Sequence, residues 1–183
     1  LFSWQNYKKS LNRQSTKKRK YELSPRLWLF HFFLVLLYLK MEAKENSINI
    51  DGGELRYRTS GSDAPEARAV VILHGWGCRA TTMALFEQTV AERCPGTKVY
   101  NLDLPGFGDS DEPRSVYGID DYVKVLEEFT RRLGIRRPIL VGHSFGGRMS
   151  ILYASRNEVE RVILVDAAGI KPRRSLKYYA KVY

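Results

Sequence analysis

Histidine is scarce in this chain and placed awkwardly for acid–base chemistry. There are three, His31, His74 and His143, and none follows residue 143. Cysteine is scarcer still: Cys78 and Cys94 are the only two of 183 residues. That excludes a disulfide-stapled scaffold and fits a reduced, cytoplasmic setting better than a secreted one. Long apolar runs are missing too. The run LWLFHFFLVLLYL, Leu27 to Leu39, has thirteen residues, against the roughly 20 that cross a bilayer comfortably. Acidic residues are nearly absent from the first forty positions, where nine Lys and Arg face Glu22 alone, a net +8. The whole chain carries +10, so residues 41–183 hold only +2. The folded part is close to neutral, and its charge calls for no nucleic acid or other polyanionic partner.

Residues 1–40 differ in kind from the rest and read as an extension outside the domain. The basic cluster Lys17-Lys18-Arg19-Lys20 followed by the apolar run imitates a signal peptide, yet no small-x-small cleavage site follows it. Met41 is the first methionine, and domain-like sequence begins at once after it. The expectation is an upstream extension of the reading frame, with translation starting at Met41. The alternatives are a signal or membrane anchor over residues 17–39, which would replace the cytoplasmic location with a membrane or exported one, and a solvated basic arm.

From Ile48 onward, short apolar runs alternate with amphipathic stretches. SINI and ELRYR flank Asp51-Gly52-Gly53, a hairpin signal. AVVIL (69–73), VYNLDL (99–104), PILV (138–141) and RVILVD (161–166) read as strands, the continuous apolar ones as buried on both faces. Met83 to Arg93 reads as a helix with Leu85, Phe86 and Val90 on one side. A second helix opens at Asp120 and Asp121, carries Tyr122, Leu126, Phe129 and Leu133 on one face, and closes at Gly134. Arg148 to Asn157 is a third. An antiparallel start followed by strand–helix alternation predicts an α/β fold with a mostly parallel sheet flanked by helices. Leu73, Leu102, Val141 and Leu164 are expected in its core. Ligands bind such sheets at the carboxyl ends of the strands, where His74, Asp103, Ser144 and Asp166 fall.

The stretch Leu140 to Gly147, LVGHSFGG, explains why one hydroxyl needs so permissive a backbone. Ser144 sits where a strand turns sharply into a helix, which forces strained backbone angles at the apex. Gly142 and Gly146, two positions either side, would otherwise carry colliding side chains. Gly147 lets the helix approach the sheet. This is the G-x-S-x-G nucleophile elbow in its strand–turn–helix context. Such a serine needs donors for the oxyanion of a tetrahedral intermediate. The backbone N–H of Phe145 is one. The other is expected in the loop His74-Gly75-Trp76-Gly77, where flanking glycines free the N–H of Trp76, whose indole would line the acyl pocket.

Three motifs in order, HGWG (74–77), DLPGFGDS (103–110) and GHSFGG (142–147), followed by LVDAAG (164–169), resemble the α/β-hydrolase fold family. The resemblance runs from about Ile48 to Gly169 and is nearest to the branch with meta-cleavage-product hydrolases, proline iminopeptidases and esterases. It implies that residues 41–169 are the N-terminal part of the hydrolase core, truncated before the later strands. Residues 170–183, with Lys171, Arg173, Arg174, Lys177, Tyr178 and Tyr179, would open a helical cap. It disfavours dehalogenase and soluble epoxide hydrolase chemistry, since those relatives carry aspartate in place of Ser144. It also implies the catalytic order serine, acid, histidine. Here no histidine follows Ser144. His74 is then the structural histidine of the oxyanion loop, His143 points away from the serine, and Asp103 organises a loop. Asp166 is a weak candidate for the acid, with capping of the next loop as the rival reading. The expected function is a serine hydrolase acting on an ester, amide or carbon–carbon bond of a small molecule, without cofactor or metal. This chain would lack its acid and histidine. A non-catalytic ligand-binding member of the fold is the alternative.

Overall fold

In the computed structural model, which describes residues 43–170, Asp51 and Gly52 have φ of 54° and 73°. These are the two left-handed residues that a two-residue hairpin turn requires. They join β1 (Lys44–Ile50) to β2 (Gly53–Gly61) with Ile50 opposite Gly53. Four more strands follow: β3 (Arg68–Leu73), β4 (Thr97–Leu102), β5 (Ile139–His143) and β6 (Arg161–Val165). The sheet order is β1-β2-β4-β3-β5-β6. β2 pairs antiparallel with both neighbours, whereas β4, β3, β5 and β6 run parallel. The expectations for residues 1–40, Met41 and the cap opening at 171–183 lie outside the described residues.

Alternation along β3 sends its side chains to two separate cores. Val71 and Leu73 face one, with Leu102, Leu140, Met149, Tyr153 and the inward side of helix α2 (Ile119–Arg132). Val70 and Ile72 face the other, with Val99, Ile139 and Val141 and the flank of helix α1 (Ala84–Arg93). Helix α3 (Phe145–Ala154) lies on the α2 side through Met149 and Tyr153. The predicted stripe of α2 holds: Tyr122, Leu126 and Phe129 are buried, and Leu133 packs at its end. Gly134, at φ 67°, closes the helix, with its N–H on the carbonyl of Arg131. Among the described residues no helix is long and apolar enough to cross a membrane.

One core assignment, Leu164, and the grouping of Leu85 with Phe86 and Val90 need correction. Leu164 is 37% exposed and Ile163 is 38% exposed, because β6 ends the sheet and no described strand or helix covers its outer side. Leu85 is 78% exposed. Phe86, Val90 and Ala91 face the second core instead, and the position beside them is occupied by Glu87, which is fully buried.

Candidate active site

β5 ends at His143 and α3 begins at Phe145, so Ser144 alone makes the turn. Its φ of 48° and ψ of −107° lie outside the regions that L-residues favour. Four backbone contacts hold it there. Ser144 N–H donates to Val165 C=O at 3.1 Å and its own C=O accepts from Ala168 N–H at 2.9 Å, which ties the turn to the end of β6. The same carbonyl accepts from Gly147 and Arg148 N–H and starts the helix. The Ser144 hydroxyl does not cap α3, so it remains available.

The glycines are required, although not all for the predicted reason. A Cβ on Gly142 would lie 2.5 Å from Gly147 Cα and overlap the Gly146 carbonyl. A Cβ on Gly146 would first meet the end of β3, overlapping the Leu73 carbonyl and lying 2.7 Å from Leu73 Cβ. Gly146 therefore has to be small beside the end of β3, and its N–H donates to the carbonyl of His74, the residue just after that strand, at 3.2 Å. Gly147 faces Ala167, where a Cβ would lie 2.5 Å from another. Gly75 lets the preceding loop close on the elbow: a Cβ there would sit 2.8 Å from His143 Nδ1 and 3.4 Å from Ser144 Cβ. Gly77 has open space but a φ of 72°.

His74 is fully buried and both ring nitrogens are engaged. Nε2 accepts from Leu104 N–H at 3.0 Å, which makes Nδ1 the protonated atom, donating to Gly75 C=O at 2.8 Å. Burial pulls its pKa below the ordinary value, against the opposing Gly75 carbonyl and the Asp103 charge. A ring held neutral with no free nitrogen is a fixture, not a base. His143 turns its Nδ1 toward Gly75, where the atom is buried and unpartnered. Asp103 accepts from Ala80 N–H at 2.5 Å and Asp109 N–H at 3.0 Å, tying the segment after the HGWG loop to the DLPGFGDS loop. Asp166 is exposed at the end of β6 with φ 47°. Its carboxylate reaches no histidine and caps no loop among the described residues. The third histidine, His31, lies outside them.

Within the described hydrogen bonds nothing engages the N–H of Trp76 or of Phe145. The Trp76 indole is 63% exposed. It meets Phe107, Phe145 and Tyr122 edge-on, with centroids at 4.9, 5.2 and 6.2 Å. Tyr122 and Phe145 are themselves perpendicular at 5.2 Å. Sequence reasoning missed Phe107 and Tyr122 as members of this cluster. The first was hidden inside a loop motif, and the second read simply as one of the core residues of α2.

Residues 68–182, more than half of the chain, match the family model described as alpha/beta hydrolase fold. The chain is 32% identical over 111 residues to 2-hydroxy-6-oxo-2,4-heptadienoate hydrolase of Pseudomonas putida, covering 59% of this chain and 40% of that protein. It is 32% identical over 113 residues to human 1-acylglycerol-3-phosphate O-acyltransferase ABHD5, covering 58% of this chain and 32% of that protein. Among solved structures, a bacterial membrane phospholipase A superposes with a TM-score of 0.67 at 28% identity, over 83% of this chain and 49% of that one. Epoxide hydrolase CorEH superposes with a TM-score of 0.61 at 26% identity, over 72% and 47%. The chain thus spans less than half the length of each of these relatives. With its sheet order and its strained serine turn, it belongs to the alpha/beta hydrolase fold family.

Proposed function

We propose that the protein is a serine hydrolase in which Ser144 is the nucleophile, acting on an ester, amide or carbon–carbon bond of a small molecule. The observation that carries the reading is the Ser144 backbone, at φ 48° between β5 and α3, with the unengaged Phe145 N–H beside it. A general base would take the Ser144 proton as Oγ attacks the substrate carbonyl carbon. The oxyanion would form against the N–H groups of Trp76 and Phe145. Expulsion of the leaving group, with a proton, would leave an acyl-serine for water to hydrolyse. The open face of the Trp76 indole would line the acyl site. The likeness to epoxide hydrolase CorEH is to the fold; a serine, not a carboxylate, occupies the apex here.

Neither described histidine is placed as that base, since both ring nitrogens of His74 are engaged and no hydrogen bond joins His143 to the serine. The proposal therefore places the base and its carboxylate outside residues 43–170, on a longer product of the gene. The same gap is what favours the second reading, a non-catalytic binding protein. Both are tested by treating this chain and the longest gene product with a fluorophosphonate and with p-nitrophenyl esters, each beside Ser144→Ala. The hydrolase reading expects Ser144-dependent labelling and turnover by the longer product. It also expects turnover by this chain lower by about 10⁶-fold, the cost of losing a triad serine or histidine. A longer product that neither labels nor turns over would overturn the hydrolase reading and favour the second. Strong Ser144-dependent turnover by this chain alone would return the base to His74 or His143.

A further inference from the structure

We infer that Asn101 and Glu87, buried on the far side of the oxyanion loop, are positioning residues for the Trp76 amide, an assignment that rests on the serine-hydrolase reading. Glu87 lies in α1 and Asn101 in β4, and both are fully buried. Asn101 Nδ2 donates to Glu87 Oε2 at 2.8 Å and to the carbonyl of Ala80 at 2.9 Å. Arg58, on β2, donates its Nε to the same carboxylate oxygen at 3.2 Å and reaches Glu45 at the surface. A buried carboxylate is costly unless paired and hydrogen-bonded, and apolar side chains of similar volume often serve stability as well or better. The pair is not even fully satisfied for its own sake: Glu87 Oε1 and Asn101 Oδ1 have no donor among the described residues.

What the pair does hold is Ala80, the first residue of the short 3-10 turn (Ala80–Met83) that follows the HGWG loop. The N–H of Ala80 is taken by Asp103 and its C=O by Asn101. At the other end of the loop, the His74 ring is fixed by Leu104 N–H and the His74 carbonyl by Gly146 N–H. Between these clamps the loop is closed by one turn bond, Cys78 N–H to Gly75 C=O at 3.1 Å, and by the edge-on contacts of the Trp76 indole, while Gly77 stands at φ 72°. The Trp76 N–H is oriented by that turn, and the turn is anchored at its two ends, one of which Asn101 with Glu87 holds through Ala80.

The test uses the longest active gene product and four variants: Asn101→Leu, Asn101→Ser, Glu87→Leu and Glu87→Gln. Each is assayed well below its own melting temperature. Turnover of a p-nitrophenyl ester gives kcat and KM, and fluorophosphonate inactivation gives a second measure that needs the same oxyanion donors. Outright loss of one such donor costs about 10²–10³-fold in kcat, so a displaced one is expected to cost about tenfold or more. Asn101→Leu should therefore lower kcat and the inactivation rate together while KM changes by less than about twofold. Glu87→Gln keeps one oxygen to accept from Asn101 and Arg58 and should restore most of what Glu87→Leu loses. The milder Asn101→Ser guards against a variant that does not fold. If folded Asn101→Ser and Asn101→Leu retain wild-type kcat, or if the loss falls on KM alone, the assignment is wrong. Turnover that survives Ser144→Ala would instead overturn the serine reading, a separate outcome.

Discussion

At the scale of the residue, Ser144 and His74 make opposite statements about strain and charge. A serine at φ 48° stores roughly 1–3 kcal/mol that glycine would not. Ser144→Gly should therefore melt higher than Ser144→Ala, by an amount equal to about 1 kcal/mol or more, while both are inactive; equal melting points would show an unstrained turn. His74 is held neutral by burial, so its folded pKa lies below the ordinary value near 6.5. In this case the unfolded chain binds the extra proton. The stabilisation is whole above about pH 6.5 and is lost as pH falls below it toward the folded pKa. Melting curves between pH 7.5 and pH 5.5 should slope downward, and His74→Gln, though weaker at neutral pH, should remove that part of the slope. Ser144 and His74 were both legible in the sequence, because G-x-S-x-G and H-G-x-G constrain backbone as well as chemistry. Glu87 and Asn101 were not. Nothing in a sequence marks a charged residue as buried when its partners, Arg58 and Asn101, come from other elements.

At the scale of the element, α2 shows why periodicity works and α1 why it fails. The α2 stripe faces the sheet, and Phe129 is fully buried there, edge-on to Tyr57 at 5.1 Å and Tyr100 at 6.1 Å. Phe129→Ala should cost about 3–5 kcal/mol by denaturant unfolding. In α1, Leu85 points to solvent and Leu85→Ala should stay within about 0.5 kcal/mol. A loss above 2 kcal/mol there would mean that Leu85 is covered in solution. The apolar count of α1 misled because one inward position is polar. RVILV of β6 misled in another way: its composition matches a strand covered on both faces, but composition does not say where a strand stands in the sheet order.

At the scale of the whole molecule, the open side of β6 governs behaviour in solution. Among the described residues β6 is a parallel edge strand with Ile163 and Leu164 exposed, offering both unpaired backbone and apolar surface. The 183-residue chain should self-associate with rising concentration by light scattering, and Ile163→Lys with Leu164→Lys should suppress this. Unchanged scattering would place the contact elsewhere. The bonds from Ser144 N–H to Val165 C=O and from Ala168 N–H to Ser144 C=O bear on timing as well. The elbow is written at residues 142–147, yet its shape is completed only by a strand about twenty residues further along the chain. As a nascent polypeptide emerges, N-terminal end first, the serine turn is free to relax until β6 has docked. The strained turn would then take its final shape only after the four strands that precede β5 have emerged.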